Sequence, residues 1–412
     1  MRIMMNEKTA YEKLEKFGQQ HLLQFFNQLN DGEKEMLIRQ IETTDFSVLA
    51  SLEVGKDGGK RGKITPLAAM ELDEIGEKRE EFEKIGYQAI RNRKVGAVLL
   101  AGGMGTRLGS DDPKGMYDIG ITKPVYIFER LIANMMEIVK KADAFIPLYV
   151  MTSDKNHTAT VNFFKEHDYF GYPCGEIVFF MQEMAPAADY DGKVFLEEKA
   201  KISTSPNGNG GWYASMHKSG LTKKVMEEGI EWLNVFAVDN VLQRIADPCF
   251  VGAVIANQCS CGAKVVKKVT PDEKVGAICL EDGQPSIVEY YEMTQELMDE
   301  MDEKGEPAYN FGVILNYLFS VKGLEEIREK QLPLHVVEKK IPHINKAGDA
   351  VKPAEPNGYK FEQLVLDMIH ELDSCLPYEV DRIKEFAPIK NKVGVDSVES
   401  ARKLCRENGI EL

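Results

Sequence analysis

The sequence predicts an α/β protein with a doubly wound mixed sheet, an N-terminal helical extension and a short C-terminal tail. From residue 95 onward, apolar runs of strand length alternate with helical segments. Strands joined by helices of this length form right-handed crossovers in a mostly parallel sheet. The first run, residues 95–101, opens into a glycine-rich loop. Ligands of such sheets bind beyond the carboxyl ends of the strands, so this loop marks the expected site.

The N-terminal extension is predicted from helical periodicity. Over residues 7–52, large apolar side chains recur near the helical period. The strands that follow are predicted at residues 95–101, 146–151, 176–181, 233–238 and 262–269, with helices at 124–140 and 210–227. Later strands near 275–280, 286–290 and 308–319 have patterns typical of antiparallel or mixed pairing. We therefore expect an extension at 1–90, a central domain at 91–375 and a C-terminal segment at 376–412.

Composition narrows the class of protein. The 412 residues carry a formal net charge of −15, and the apolar fraction is 43%. An acidic surface argues against nucleic acid and anionic membranes as partners, whereas a local cationic pocket still accommodates an anionic substrate. No apolar run approaches the roughly 20 residues that span a bilayer, and the N-terminus lacks a signal-peptide pattern. The seven cysteines are scattered and predict no disulfide framework. These features predict a cytoplasmic protein.

The loop itself, LAGGMGTRLGSDDPKG at residues 100–115, predicts an anion site. Glycines at 102, 103, 105 and 109 let the backbone approach a ligand closely, and Arg107 and Lys114 follow them. Backbone N–H groups of such a loop, with two cations nearby, suit phosphate. The spacing matches neither the dinucleotide fingerprint G-x-G-x-x-G nor the Walker A motif.

Two further segments carry chemistry. PNGNGG at 206–211 approaches a helix N-terminus, where free N–H groups attract an anion; an ordinary glycine-rich turn is the alternative. VFAVDN at 235–240 puts Asp239 directly after a buried strand. That carboxylate suits a Mg²⁺ ion or a ribose, and an Asx cap of the next turn is the alternative.

Together with IVEYYEM at 287–293 and FAPIKN at 386–391, these motifs resemble the eukaryotic-type UDP-N-acetylhexosamine pyrophosphorylases of the UDP-sugar pyrophosphorylase superfamily. The resemblance covers about residues 90–392. It implies a Rossmann-like nucleotidyltransferase domain and uridylyl transfer from UTP to N-acetylglucosamine 1-phosphate, with Mg²⁺ as cofactor. It implies UTP and the sugar phosphate as partners. For the chain itself we expect a monomer or weak homo-oligomer.

The resemblance also implies residue roles. The residues implied to bind the nucleotide are Leu100, Ala101, Gly102, Gly103, Gln182, Gly208 and Asp239, and Asp239 is also the implied metal ligand. The residues implied to bind the sugar are Asn209, Glu289, Tyr290 and Asn310. The residues implied to bind the phosphates and to act in catalysis are Arg107, Lys114, Lys360 and Lys390.

One departure from the family concerns the sugar. Where the family commonly reads FNAGN, this chain reads YNFGV, so Val313 replaces a polar residue. Two other functions therefore stay open: uridylyl transfer to glucose or galactose 1-phosphate, and a non-catalytic sensor of sugar nucleotides. Retention of the phosphate-binding cations argues against the sensor, because a sensor needs no cations for a leaving group.

Overall fold

A computed structural model describes residues 6–54 and 61–412 of the protein. The α-helices are α1 (Glu7–Lys16), α2 (Asp31–Thr43), α3 (Ser51–Val54), α4 (Leu72–Glu77), α5 (Arg79–Arg91), α6 (Ile127–Ala142), α7 (His157–Glu166), α8 (Trp212–Lys218), α9 (Leu221–Glu227), α10 (Pro248–Ala256), α11 (Gln295–Asp299), α12 (Val321–Ile327), α13 (Val365–His370), α14 (Arg382–Glu385) and α15 (Val398–Glu407). The strands are β1 (Ile64–Pro66), β2 (Val95–Leu100), β3 (Leu148–Thr152), β4 (Ile177–Met181), β5 (Met184–Pro186), β6 (Ala188–Asp189), β7 (Leu196–Glu198), β8 (Lys201–Ile202), β9 (Thr204–Pro206), β10 (Trp232–Ala237), β11 (Cys261–Lys267), β12 (Ala277–Glu281), β13 (Gln284–Val288), β14 (Phe311–Ser320), β15 (His335–Lys339), β16 (His343–Ile344), β17 (Ala350–Val351), β18 (Gly358–Glu362) and β19 (Cys375–Glu379).

Within the described residues, the largest sheet has ten strands and is mixed. β10, β2, β3 and β4 are parallel neighbours. On the other side of β10, β14 runs antiparallel and leads to β12, β13 and β1. β11 pairs antiparallel with β14 and parallel with β19. This arrangement confirms the predicted α/β class with a mixed sheet.

The observed elements follow the sequence patterns closely. Every residue of β2 is buried, as expected of a central parallel strand that is covered on both faces. The helical N-terminus is present as α1, α2 and α3 with short 3₁₀ turns. The helix predicted over 210–227 is two helices, α8 and α9, because the chain turns through Gly220 at a φ of +80°, which a continuing helix cannot accommodate.

The described residues cluster into two compact units. The first unit combines the N-terminal helices with Glu183–Gly211 and Leu332–Leu364, and its core includes Leu14, Ile41 and Phe361. The second unit contains Arg61–Gln182, Trp212–Gln331 and Val365–Leu412, and it holds the large sheet. None of the described helices is long and apolar enough to cross a bilayer.

Candidate active site

Parallel strands bring the residues predicted to bind the nucleotide, all but Gly208, to one edge of the large sheet. β2 ends at Leu100, before the glycine loop, and β4 ends directly before Gln182. β10 ends at Ala237, opposite Leu100 in the register, and Asp239 follows. Because these strands are parallel, their carboxyl ends share an edge, which is the usual ligand-binding edge of such sheets.

The glycine loop presents unpaired backbone donors. The carbonyl of Gly103 accepts the Lys114 N–H at 3.1 Å, which folds the loop back on itself. Within residues 6–54 and 61–412, no hydrogen bond uses the N–H of Gly102, Gly103 or Met104. Successive N–H groups in a glycine loop attract an anion. These donors suit the phosphate that the sequence predicts at this loop.

The predicted base-reading residue lies against this loop. Gln182 is buried, and its backbone N–H donates to the Thr152 carbonyl at 2.8 Å. A Cβ atom added to Gly102 would lie only 2.3 Å from Gln182 Nε2. The side-chain amide thus occupies space that Gly102 leaves free, and any larger residue at 102 would displace it.

Lys114 and Asp239 form an ion pair at this edge of the sheet. Lys114 is nine-tenths buried, and its Nζ lies 3.5 Å from Asp239 Oδ2. Burial lowers the pKa of Lys114; Asp239 opposes this, whereas the Arg107 and Lys390 cations lower the pKa further. Two cations that both act on Lys114, with one carboxylate nearby, favour an anionic ligand, which relieves the repulsion between the positive charges.

Backbone hydrogen bonds hold Lys390 beside Asp239. The Ile389 N–H donates to the Asp239 carbonyl at 2.9 Å. The fully buried Asn240 donates through Nδ2 to the Glu385 carbonyl at 2.7 Å and accepts the Ala387 N–H at 2.9 Å.

Lys390 is also paired within its own loop. Its Nζ lies 3.1 Å from Asp396 Oδ2, and its backbone N–H donates to the Asp396 carbonyl. The segment 385–390 is thus fixed to the carboxyl end of β10, and Lys390 is oriented by its loop before any ligand binds.

The predicted sugar residues of the second unit lie near the ends of β13 and β14. Glu289 and Tyr290 follow β13, and 43% of Tyr290 is exposed. A Cβ atom at Gly276 would lie 2.8 Å from Ile287 Cγ2, 3.5 Å from Val313 Cγ2 and 3.7 Å from Glu289 Cδ. Gly276 therefore packs tightly against Ile287, close to Val313 and Glu289. Asn310, just before β14, donates through Nδ2 to Glu306 Oε2 at 3.2 Å.

Gly208, Asn209 and Lys360 belong to the first unit. There the PNGNGG loop is locked to the chain just after β18, the strand that carries Lys360. Gln363 donates its N–H to the Asn207 carbonyl at 2.7 Å and accepts the Gly210 N–H at 2.8 Å. Gly208 has a φ of +89°, and a Cβ there would lie 2.2 Å from the Gln363 carbonyl oxygen. Only glycine fits this position.

We expect Gly208→Ala to destabilise this loop and to raise the KM for UTP. Gly220→Ala is the matched control, because Gly220 has a φ of +80° with open space around it. The control isolates the cost of the left-handed conformation, about 1–2 kcal/mol in unfolding free energy. Gly208→Ala adds a clash with backbone, so it should cost more. Urea titration and UTP kinetics check this, and equal effects of the two substitutions would contradict it.

Sequence reasoning missed a buried ion cluster beside the site. Lys264 is fully buried, with Nζ at 2.5 Å from Glu385 Oε2 and 3.3 Å from Asp247 Oδ2. Arg244 also pairs with Asp247. Burial alone would raise the pKa of Asp247, but the Lys264 and Arg244 cations hold it below its usual value. The one signal in the sequence is a lysine within an otherwise apolar strand pattern.

The chain is similar to known proteins over most of its length. A family model described as UTP–glucose-1-phosphate uridylyltransferase matches residues 60–407. The chain is 36% identical to UDP-N-acetylglucosamine pyrophosphorylase of Saccharomyces cerevisiae, over 95% of this chain and 85% of that protein. It is 34% identical to UDP-N-acetylhexosamine pyrophosphorylase-like protein 1 of Mus musculus, over 94% of this chain and 81% of that protein.

A solved structure has the same fold. The uridine diphosphate N-acetylglucosamine pyrophosphorylase from Trypanosoma brucei, crystallised with an inhibitor, superimposes with a TM-score of 0.84. The match covers 98% of this chain and 85% of that chain, at 26% identity.

Proposed function

The chain belongs to the UTP–glucose-1-phosphate uridylyltransferase family, and we propose that it forms UDP-N-acetylglucosamine and pyrophosphate from UTP and N-acetylglucosamine 1-phosphate. The names of the relatives support the N-acetylhexosamine substrate. They favour it over glucose or galactose 1-phosphate, and they favour an enzyme over a non-catalytic sensor.

One observation carries the proposal for this site. The unpaired N–H groups of Gly102, Gly103 and Met104 lie at the same sheet edge as Gln182 and the cluster around Lys114. A nucleoside triphosphate needs both a base-reading group and a binding site for its phosphates. This edge offers both.

The reaction is an in-line displacement at the α-phosphorus of UTP. A phosphate oxygen of the sugar 1-phosphate forms the new P–O bond to the α-phosphorus. The bond between the α-phosphorus and the oxygen that bridges it to the β-phosphorus breaks, which releases pyrophosphate. The attacking oxygen is already ionised, so no side chain has to remove a proton. Arg107 and Lys114 stabilise charge on the leaving pyrophosphate, while Lys390 and Lys360 hold the α-phosphate and the sugar phosphate. Alignment and charge stabilisation account for catalysis of this kind.

We extend the proposal to Mg²⁺ at Asp239. This ion is usually held by one or two carboxylates together with substrate phosphates. The Asp239 carboxylate, a quarter exposed beside Lys114, fits that mode. No group of three or more His, Cys, Asp or Glu side chains suited to a metal occurs in the described ranges, so an all-protein metal cage does not fit. When bound, Mg²⁺ would neutralise phosphate charge.

The sugar side of the proposal rests on Asn209, Glu289, Tyr290 and Asn310. Carboxylate and amide groups can accept and donate hydrogen bonds to sugar hydroxyls and to the acetamido group. Formation of UDP-N-acetylglucosamine, identified by mass, together with equimolar pyrophosphate tests the function directly. A cytoplasmic location and a monomeric or weakly associated state stay predictions from the sequence.

If Gln182 reads the uracil edge, UTP is preferred over CTP. The two bases present a different order of donors and acceptors, and a paired amide–base contact discriminates by about 1–3 kcal/mol, roughly 5- to 150-fold. Gln182→Ala should narrow this preference by weakening UTP. Gly102→Ala should act in the same way, because its methyl group would displace the Gln182 amide. Competition between UTP and CTP measures the ratio, and equal use of both by the wild type would remove Gln182 from base recognition.

A further inference from the structure

Asn156 joins the glycine loop to the end of β3. Its side chain is fully buried, and Nδ2 donates to the carbonyls of Ala101 at 2.9 Å and Gly103 at 3.3 Å. Its Oδ1 accepts the Ser153 N–H at 2.7 Å. Only this orientation of the amide satisfies all three bonds, because the reverse would set an oxygen against two carbonyls.

The position of Asn156 makes these contacts unusual. It is the N-cap residue of α7, yet its side chain makes no hydrogen bond that caps the helix. An asparagine at an N-cap ordinarily accepts an N–H from the first helical turn, which stabilises the helix. Here the amide is turned to the glycine loop instead, so the helix forgoes a cap that this residue type would supply.

These bonds determine where the N–H groups of the loop point. A peptide bond is planar and trans, so the N–H of each unit is directed opposite to its carbonyl. The Ala101 carbonyl shares its peptide unit with the Gly102 N–H, and the Gly103 carbonyl shares its unit with the Met104 N–H. Because Asn156 holds both carbonyls, both N–H groups point away from it. They are among the loop donors that no described residue accepts.

We propose that Asn156 is the positioning residue that orients the N–H groups of Gly102 and Met104 toward the bound nucleotide. The inference deepens the proposed function and rests on it. Asn156 itself does not touch the nucleotide; it acts through the two carbonyls. The Gly103 carbonyl also accepts the Lys114 N–H. By holding this carbonyl, Asn156 therefore also helps to position the backbone of Lys114.

Asn156→Ser separates this role from a purely structural one. Serine is a good N-cap, so α7 should still form, but the loss of three buried hydrogen bonds should lower the unfolding midpoint, as it does in the control described next. The serine side chain is too short to reach both carbonyls. We expect the dissociation constant of UTP, measured by titration calorimetry, to rise about tenfold, as for the loss of two hydrogen bonds. The KM for the sugar phosphate should stay unchanged.

Asn234→Ser is the matched control. Asn234 is equally buried and also makes three hydrogen bonds, to Asn316, Tyr317 and Ala246, in the middle of the sheet. It should lower the unfolding midpoint and leave the affinity for UTP within about twofold. If Asn156→Ser is too unstable to titrate, Asn156→Thr gives the same comparison, because threonine is also an N-cap residue that cannot donate to both carbonyls, and its methyl group fills more of the space that the amide leaves.

The outcomes distinguish the two proposals. Equal UTP affinity in the wild type and in a folded Asn156 variant overturns the positioning role alone. A wild-type protein that binds no UTP overturns the proposed function, and this inference with it.

Discussion

Lys264→Met is expected to lower the free energy of unfolding by about 3–5 kcal/mol, because it leaves a buried carboxylate without its partner. Methionine matches the length of the lysine stem, so the substitution removes charge with little change in packing. Glu385 would lose the closest cation that it has, and Asp247 would keep only Arg244. Urea titration at neutral pH measures the loss.

Lys403→Met is the control for this measurement. Lys403 pairs with Glu407 at 3.8 Å, and both side chains are well exposed. Such surface pairs contribute about 0–1 kcal/mol. A loss for Lys264→Met as small as that for Lys403→Met would show that the buried cluster contributes little.

The lowered pKa of Asp247 predicts that the protein loses stability at acid pH. The pKa of Asp247 is lowered in the folded state from its ordinary value of 3.8. Its contribution to stability is therefore present above that value and is lost as the pH falls through the lowered pKa.

Arg107→Ala is expected to lower kcat by about 10²–10³-fold, the usual cost of removing one donor that stabilises charge in the transition state. Arg107 is exposed at the rim of the glycine loop, and its charge lies close enough to influence Lys114. Because the developing charge is on pyrophosphate, the affinity for the UDP-sugar should change much less. Steady-state kinetics and product binding separate the two effects.

Arg93→Ala is the matched control for Arg107→Ala. Arg93 is also partly exposed and pairs with Glu176, but it precedes the start of β2 and so lies at the opposite end of that strand from the loop. Its removal should leave kcat near the wild-type value. An Arg107→Ala enzyme with the turnover of Arg93→Ala would remove Arg107 from the mechanism.

Much of the fold could be predicted because its signals are local. The fully apolar run that forms β2 and the alternation around it specify a central parallel strand. The glycine spacing after β2 is enough by itself to exclude the dinucleotide fingerprint and the Walker A motif. In each case neighbouring residues carry the information.

The composition of the first unit could not be predicted from local sequence patterns. It gathers the N-terminal helices with 183–211 and 332–364, segments distant in the chain. No periodicity within any of them indicates the other two, because their shared core forms only on folding. The hydrogen bonds that join Gln363 to Asn207 and Gly210 are likewise made by backbone atoms, which sequence patterns do not describe.

The candidate site, too, could be predicted only in part. Lys114 and Asp239 were predicted as phosphate and metal residues from motifs, and the structure brings them within 3.5 Å. Asn156 was not predicted, because an asparagine before a helix is typical of an N-cap and its turn toward the loop depends on tertiary structure. The roles of the predicted residues in catalysis stay predictions.

The most direct test of the account is the rate of pyrophosphate release from UTP with a panel of sugar 1-phosphates. If Glu289 and Asn310 hydrogen-bond the sugar as proposed, the site rejects a substrate that lacks a partner group more sharply than an apolar pocket does. We expect kcat/KM for N-acetylglucosamine 1-phosphate to exceed that for glucose 1-phosphate by roughly tenfold or more, with the N-acetylgalactosamine epimer between them. A kcat/KM for glucose 1-phosphate equal to or above that for the N-acetyl sugar would contradict the account.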